Sequence, residues 1–436
     1  MSSEEVLLLN AILYTVTLFY FYFKYQLSVG VFIWILYTLS AWSSFLFVQQ
    51  PLYASSAHAS TQTLLPCFYL YVIFVIAMIP LMKLNKIESI DSLNHRLLIA
   101  IMVVCSLIQV LFFIVDIPAM LNVMRSGSGM LSELRSTVYG DDGLSAITKN
   151  VWLNKISLLY SGIRIFATGL SVIMFIAYNK HRRLVTIFAV SALLNNLRII
   201  IVQVGRGEMV FVFLLYACTI YLMRDWLSAE SKRKVVMISI PVILIGGTFF
   251  TAITLSRFGD KAAFFMYKYL GEPINNFDGI LFNNIKGSTN GRAYFSTIYR
   301  YIFGESGIIT ADEKWSLIQS QTGIRGDIFY TWVGGLIIEF GKVVPFIVAF
   351  VLNRGLKHLA AIRHYYIGDL IVLIFFMNFY IRGIFIFPTQ NIEGTLMILY
   401  TILLYLIFRI RKNQKGHLVF ILPRKRLDLG EDELVK

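Results

Sequence analysis

The sequence contains few charged residues, few cysteines and no long polar linker. Charged residues make up 15% of its 436 positions, against about 25% in an ordinary soluble domain. Hydrophobic residues make up 57%, and the mean hydropathy is +0.69. Neither an internal repeat nor a Pro/Gly/Ser-rich stretch separates a second domain. We therefore expect one polytopic membrane domain over residues 1–410 and a basic cytoplasmic tail over 411–436.

The three cysteines, Cys67, Cys105 and Cys218, each lie in an apolar stretch. None belongs to a CxxC motif or has a histidine close by, so the usual patterns of a disulfide framework or a zinc site are excluded. The cysteines are interpreted as packing residues, and the sequence predicts neither a metal nor another cofactor.

Eleven stretches reach or approach the roughly 20 apolar residues that a membrane-spanning helix needs. They cover residues 6–23, 29–48, 64–82, 97–117, 156–178, 184–204, 209–223, 235–254, 328–353, 369–387 and 395–408. The first stretch follows Glu4 and Glu5 rather than basic residues, so we expect a retained span and not a signal peptide. The predicted fold is an all-α polytopic membrane protein of about eleven helices.

The formal net charge of +14 is interpreted mainly as a topological signal. More than half of the 39 Lys and Arg residues fall in alternate loops and in the tail, whereas the short loops 49–63 and 388–394 contain none. Because positive loops stay on the cytoplasmic side, the N-terminus is predicted to be periplasmic and the C-terminus cytoplasmic. Two long loops, 118–155 and 255–327, then face the periplasm, and no nucleic acid partner is expected.

Three predicted spans each contain an arginine, namely Arg164, Arg198 and Arg382. Because a helix rises about 1.5 Å per residue, these arginines lie about 8 to 12 Å below the outer surface. Ionisable residues in a span usually face a cavity or a partner. None of the three has a carboxylate near it in the sequence, and guanidinium groups bind phosphate or pyrophosphate bidentately. A converging anion pocket is one interpretation. Snorkelling to the headgroups, or pairing with an acid elsewhere in the bundle, is the other.

The outer loop 255–327 carries residues suited to an oligosaccharide. Tyr267, Tyr269, Asn275 and Asn276 offer aromatic faces for sugar rings and hydrogen-bonding groups for sugar hydroxyls. Tyrosines are also common at any membrane surface, so an ordinary interfacial role is the alternative.

A catalytic base on the outer face is expected to be a carboxylate. All histidines except His58 lie in loops assigned to the inside, which argues against a histidine base. Glu339 is alternatively a buried partner of Lys342, since positions three apart share a helix face. The candidate bases are Glu208, Glu272, Asp278, Asp327 and Glu339.

The chain resembles the bacterial Wzy-type O-antigen polymerases, which join oligosaccharide repeat units. The many-span layout carries the resemblance across nearly the whole chain. Three segments add to it: 198–208 with its basic residues, 256–278 with Tyr-Leu-Gly-Glu-Pro and Phe-Asp, and 331–341 at the start of a late span.

This resemblance implies a metal-independent glycosyltransferase of the GT-C type in the bacterial inner membrane. It would transfer a growing glycan from polyprenyl pyrophosphate to a new lipid-linked unit at the periplasmic face, with a flippase and a chain-length regulator as further partners. The pyrophosphate and its developing charge would be bound by arginines, namely Arg164, Arg198, Arg206, Arg257, Arg325 and Arg382. A carboxylate, drawn from Glu272, Asp278, Asp327 and Glu339, would take the acceptor proton.

Other functions stay open. The O-antigen ligase also uses lipid-linked glycan, and its outer-face histidine has only His58 as a counterpart here. A lipid-linked oligosaccharide flippase would show two similar halves and charges along a central path. A non-enzymatic scaffold would not need buried arginines without local partners.

Overall fold

The computed structural model describes residues 1–91, 94–125, 151–202, 206–304, 310–362, 364–412 and 418–420. This part of the chain is mostly helical. The helices are α1 (Ser3–Tyr25), α2 (Val29–Val48), α3 (Leu64–Met82), α4 (His95–Arg125), α5 (Val151–Ala177), α6 (Arg182–Val202), α7 (Arg206–Leu222), α8 (Ala229–Phe258), α9 (Ala262–Asn276), α10 (Ser296–Phe303), α11 (Ala311–Thr322), α12 (Thr331–Phe340), α13 (Val344–Ala360), α14 (Ile367–Gly383) and α15 (Ile392–Arg409).

The remaining regular elements are short. A π-helical turn, Phe277–Phe282, continues α9. Strand β1 (Ser89–Asp91) pairs in parallel with β2 (His364–Tyr366), and β3 (Ile410–Lys412) pairs antiparallel with β4 (Leu418–Phe420).

Among the described residues, seven helices are long and apolar enough to cross a membrane: α1 to α6 and α15. This agrees with the predicted class, an all-α membrane protein with several spans. The bounds of α2 and α3 coincide with the predicted stretches 29–48 and 64–82. Polar residues start several helices: the Ser2 hydroxyl accepts from the Glu5 N–H at 3.2 Å, and the Ser28 hydroxyl accepts from the Val31 N–H at 3.3 Å.

The predicted single span over 328–353 is wrong. Two helices, α12 and α13, replace it, and the chain breaks between them at Gly341, whose φ is +79°. At about 1.5 Å per residue, the ten residues of α12 reach only about half of a bilayer core roughly 30 Å thick. The hydropathy of the sequence did not reveal the break, because Val343 and Val344 are as apolar as the helices on either side.

The predicted loop 118–155 also differs from the structure where residues are described. Helix α4 continues through Pro118 to Arg125, because apolar residues such as Met120 and Leu121 extend its run, and α5 already begins at Val151. Residues 126–150 lie outside the described part of the chain. So does the predicted tail, apart from residues 411–412 and 418–420.

Helix α9 lies directly against α2, and a glycine makes this contact close. A Cβ atom on Gly271 would come within 2.5 Å of the Ser43 carbonyl carbon. One residue earlier, the Leu270 carbonyl accepts a hydrogen bond of 2.6 Å from the Ser40 hydroxyl. This contact places the last turn of α9 beside the loop that follows α2.

Buried tyrosines connect the central helices. The Tyr37 hydroxyl on α2 donates to the Tyr380 carbonyl on α14, and the Tyr380 hydroxyl donates to the Ala77 carbonyl on α3, both at 3.0 Å. At the opposite end of α14, Asp369 forms a buried ion pair with Arg409 of α15. The bundle is thus fastened by polar contacts at both ends of α14.

Candidate functional site

The loop between α2 and α3 packs on the end of α9 through a buried asparagine. The Asn275 Oδ1 atom accepts from the Tyr53 hydroxyl at 3.2 Å and from Gln62 Nε2 at 2.9 Å. Its Nδ2 atom donates to the His58 carbonyl at 3.3 Å. Asn275 is fully buried, so these contacts fix the loop against α9.

The neighbouring Asn276 links three segments of the chain. Its Nδ2 atom donates to Glu272 Oε1 at 3.1 Å and to the Phe329 carbonyl at 3.2 Å. Its Oδ1 atom lies 3.0 Å from His58 Nδ1. We call His58, Gln62, Glu272, Asn275 and Asn276 the His58 cluster.

His58 is a functional candidate that the sequence suggested only as a counterpart of the ligase histidine and not as a base for the polymerase. It is 5% exposed, and its Nδ1 atom lies 3.8 Å from Glu272 Oε1. Burial lowers the pKa of His58, Lys268 and Arg325 act in the same direction, and Glu272 opposes them. A pKa below the ordinary value keeps the ring largely neutral at pH 7. The only signal in the sequence was its position, as the single histidine in a loop assigned to the outside.

Two predicted carboxylates border this cluster in different ways. Asp278 is buried and accepts from the Thr63 N–H at 2.8 Å, the Thr63 hydroxyl at 3.1 Å and the Cys67 thiol at 3.4 Å. Burial raises the pKa of Asp278 to about 6. Asp327 is half exposed and binds Arg325 through two hydrogen bonds of 3.0 and 2.6 Å, which lower the pKa of Asp327.

Glu339 is fully buried and does not pair with Lys342, the partner that the sequence suggested. Its carboxylate accepts from the Thr289 hydroxyl and the Gly291 N–H, both at 2.6 Å, and from the Tyr294 N–H. Lys342 instead lies over the Phe282 ring, 4.2 Å from its centroid. Glu339 therefore secures the segment that follows the π-helical turn.

Two of the predicted arginines share one carboxylate. Arg382 of α14 donates to Glu208 of α7 through two hydrogen bonds of 2.8 and 2.6 Å, and Arg164 of α5 lies 3.5 Å from the same carboxylate. Arg382 also donates to Asn378 Oδ1 at 3.0 Å. These three charged residues, which we call the arginine cluster, carry a formal charge of one positive unit.

All three arginines pair with carboxylates of distant helices, which was the alternative to a converging anion pocket. Arg198 pairs with Asp116 at 2.8 Å and stacks on the Phe112 ring, so it is neutralised separately. Sequence reasoning missed Asp116 because it ends a predicted span and lies 82 residues from its partner. Glu208 was considered as a candidate base, whereas the structure places it between Arg164 and Arg382.

The remaining predicted residues are placed as follows. The side chains of Arg206 and Arg257 lie outside the described part of the structure, although α7 begins at Arg206. Tyr267 packs on a small hydrophobic cluster with Phe47 and Phe264. Arg325 lies beside the His58 cluster and not with the arginine cluster.

Tyr269 belongs to an aromatic wall between the two clusters. Its ring lies 5.4 Å from Phe385 and 6.2 Å from Phe329, whose carbonyl accepts from Asn276. Phe385 in turn contacts Phe211 at 5.7 Å, and the Arg382 guanidinium lies 4.9 Å from the Phe211 centroid. The wall, formed by Tyr269, Phe329, Phe385 and Phe211, thus joins the His58 cluster to the arginine cluster.

A cleft of about 70 Å³ opens beside this wall. Its lining includes Asp327, Tyr330, Thr331, Phe385 and Gln390. Among the described residues, no group of three or more His, Cys, Asp or Glu side chains is arranged to hold a metal ion.

Comparison of the chain with protein-family models, with curated proteins and with solved structures gives no match.

Proposed function

We propose that this chain polymerises lipid-linked oligosaccharide repeat units at the periplasmic face of a bacterial inner membrane. It transfers a growing glycan from polyprenyl pyrophosphate to the terminal sugar of a new lipid-linked unit. The supporting observation is that a net positive arginine cluster and a buried hydrogen-bonding cluster lie on the same aromatic wall. A second support is the resemblance to Wzy-type polymerases.

The arginine cluster suits the leaving group of this reaction. Arg164 lies on the membrane-spanning helix α5 and Arg382 on the neighbouring helix α14, and both side chains are largely buried. Glu208 neutralises only one of the two guanidinium groups, so an anion is attracted rather than repelled. Charge that develops on the pyrophosphate as the glycosidic bond breaks is stabilised by such fixed cations.

The His58 cluster and the neighbouring cleft suit the acceptor. Asp327 and Gln390 line the cleft and can bind sugar hydroxyls, while Tyr330 and Phe385 offer aromatic faces. A group in the His58 cluster then removes the proton of the attacking hydroxyl.

Deletion of the gene in its source organism tests this function through the banding of surface glycans. Loss of a polymerase leaves a core that carries a single repeat unit, and a plasmid copy restores the ladder. An unchanged ladder in the deletion strain would overturn the proposal for this glycan.

The O-antigen ligase is the second candidate, because His58, the counterpart considered for the ligase histidine, lies next to Glu272. Loss of a ligase removes every glycan-bearing band while long lipid-linked chains accumulate. Loss of a flippase also removes those bands, but without lipid-linked chains at the periplasmic face. The three functions are therefore separated by the same deletion strain.

A further inference from the structure

We propose that His58, and not a carboxylate, is the general base that takes the proton of the acceptor hydroxyl. This inference rests on the proposed function and names one of its catalytic residues. It stands on the geometry of the His58 cluster, which determines how the imidazole ring is protonated and which ring nitrogen is left for a substrate.

The amide of Asn276 sets the tautomer of His58. Both acceptors next to its Nδ2 atom, Glu272 Oε1 and the Phe329 carbonyl, can only receive hydrogen bonds. The amide is therefore oriented with its Oδ1 atom toward His58 Nδ1. Because Oδ1 is an acceptor, Nδ1 carries the hydrogen, and the lone pair of the neutral ring lies on Nε2.

The Nε2 atom is left available. Within the described residues it has no hydrogen-bond partner, and it is not among the polar atoms sealed from solvent without one. The titratable and charged groups around the ring are Glu272, Lys268, Arg325 and Asp327. Glu272 is engaged by Asn276, and Asp327 is engaged by Arg325 through both oxygens. His58 is thus the neutral acceptor of a proton in this group.

In the proposed step, a proton, a new glycosidic bond and a leaving group are each accounted for. The acceptor hydroxyl loses its proton to His58 Nε2 while its oxygen forms a bond to the anomeric carbon of the donor glycan. The bond from that carbon to the pyrophosphate oxygen breaks, and its electron pair leaves with the polyprenyl pyrophosphate. Nδ1 keeps its hydrogen bond to Asn276 as the ring becomes cationic, and Glu272 stabilises that cation from 3.8 Å.

The test measures glycan transfer by the full-length protein in liposomes, with lipid-linked repeat units isolated from the deletion strain. We expect His58→Gln to lower kcat by about 10²- to 10⁴-fold, the usual contribution of a general base. Gln keeps an amide donor for Asn276 Oδ1 but has no basic nitrogen. The control His364→Gln, at the distant β2 strand, leaves the rate unchanged.

Glu272→Gln provides the second test and does not depend on the folding of a His58 variant. A histidine base with Glu272 removed has a lower pKa, so the acidic limb of the kcat profile moves to lower pH while transfer continues. If Glu272 were the base, this variant would lose activity at every pH. If the wild type transfers glycan and the His58→Gln variant does so equally fast, the proposed role of His58 is wrong but the proposed function stands. If the wild type itself transfers no glycan, the proposed function is wrong.

Discussion

Arg382 and Glu208 are joined by two parallel hydrogen bonds of 2.8 and 2.6 Å across 174 residues of sequence. A planar guanidinium paired in this way is fully oriented, and Asn378 holds its third nitrogen. Arg164 lies against the same carboxylate. Glu208 thus positions two cations of neighbouring helices at one point.

Substitution of Arg382 by Lys keeps the positive charge but removes the planar guanidinium group that forms two hydrogen bonds with Glu208. We predict that Arg382→Lys reaches the membrane at normal levels and loses about tenfold to hundredfold in glycan transfer, since one charged hydrogen bond contributes about 1.5 to 3 kcal/mol. The control is Arg182→Lys at the exposed start of α6. Glu208→Gln adds a sharper contrast: it raises the net positive charge and lowers KM for the lipid pyrophosphate donor. An unchanged KM with a lower thermal stability would instead show that the cluster is only structural.

The contact of α9 with α2 depends on the absence of a side chain at Gly271. A methyl group there meets backbone atoms of Ser43, so we predict that Gly271→Ala destabilises the protein by at least about 1 to 3 kcal/mol. Gly247→Ala is the matched control, because no atom lies within 4 Å of its added Cβ. Thermal unfolding in detergent compares them. Equal unfolding temperatures would contradict the close packing of the two helices.

Asp369 and Arg409 form an ion pair that is almost completely buried, with 1% and 0% of the side chains exposed. Asp369→Asn removes the carboxylate that neutralises the buried Arg409 cation, and we predict a loss of about 3 to 5 kcal/mol of stability. In contrast, Lys86 and Asp225 pair at 3.3 Å with nearly half of each side chain exposed, so Asp225→Asn changes stability by less than about 1 kcal/mol. A similar effect of both substitutions on thermal unfolding would refute this account of the N-terminal end of α14.

Burial of the Asp278 carboxyl makes the free energy of unfolding depend on pH. Its pKa in the folded protein is about 6, above the ordinary 3.8, so the folded state holds the proton more tightly than the unfolded state. The stabilising contribution is fully present below about pH 4 and is lost as the pH rises through about 6, with a span of up to about 3 kcal/mol. Unfolding temperatures of the wild type and Asp278→Asn between about pH 4 and 7 check this. The variant should show the flatter curve, and identical curves would rule out the burial effect.

Uninterrupted apolar runs were sufficient to predict the bounds of α2 and α3, because one run fills one helix. The same reasoning failed at Gly341, since the break depends on a backbone conformation and not on polarity. Glu272, Asn275 and Asn276 lie close together because they share one helix. Their link to His58 spans 218 residues and has no local signal, and the partners of Arg164, Arg198 and Arg382 likewise come from distant helices.

The most direct test of the central claim is glycan transfer by the purified protein in liposomes. Lipid-linked repeat units extracted from the deletion strain are added. The products are separated by length, and their masses are measured by mass spectrometry. The account predicts lipid-linked dimers and longer chains, with one polyprenyl pyrophosphate released for each unit joined. The account would be contradicted if the repeat units stay single and lipid-linked, and if an equally treated Arg382→Lys sample gives the same result as the wild type.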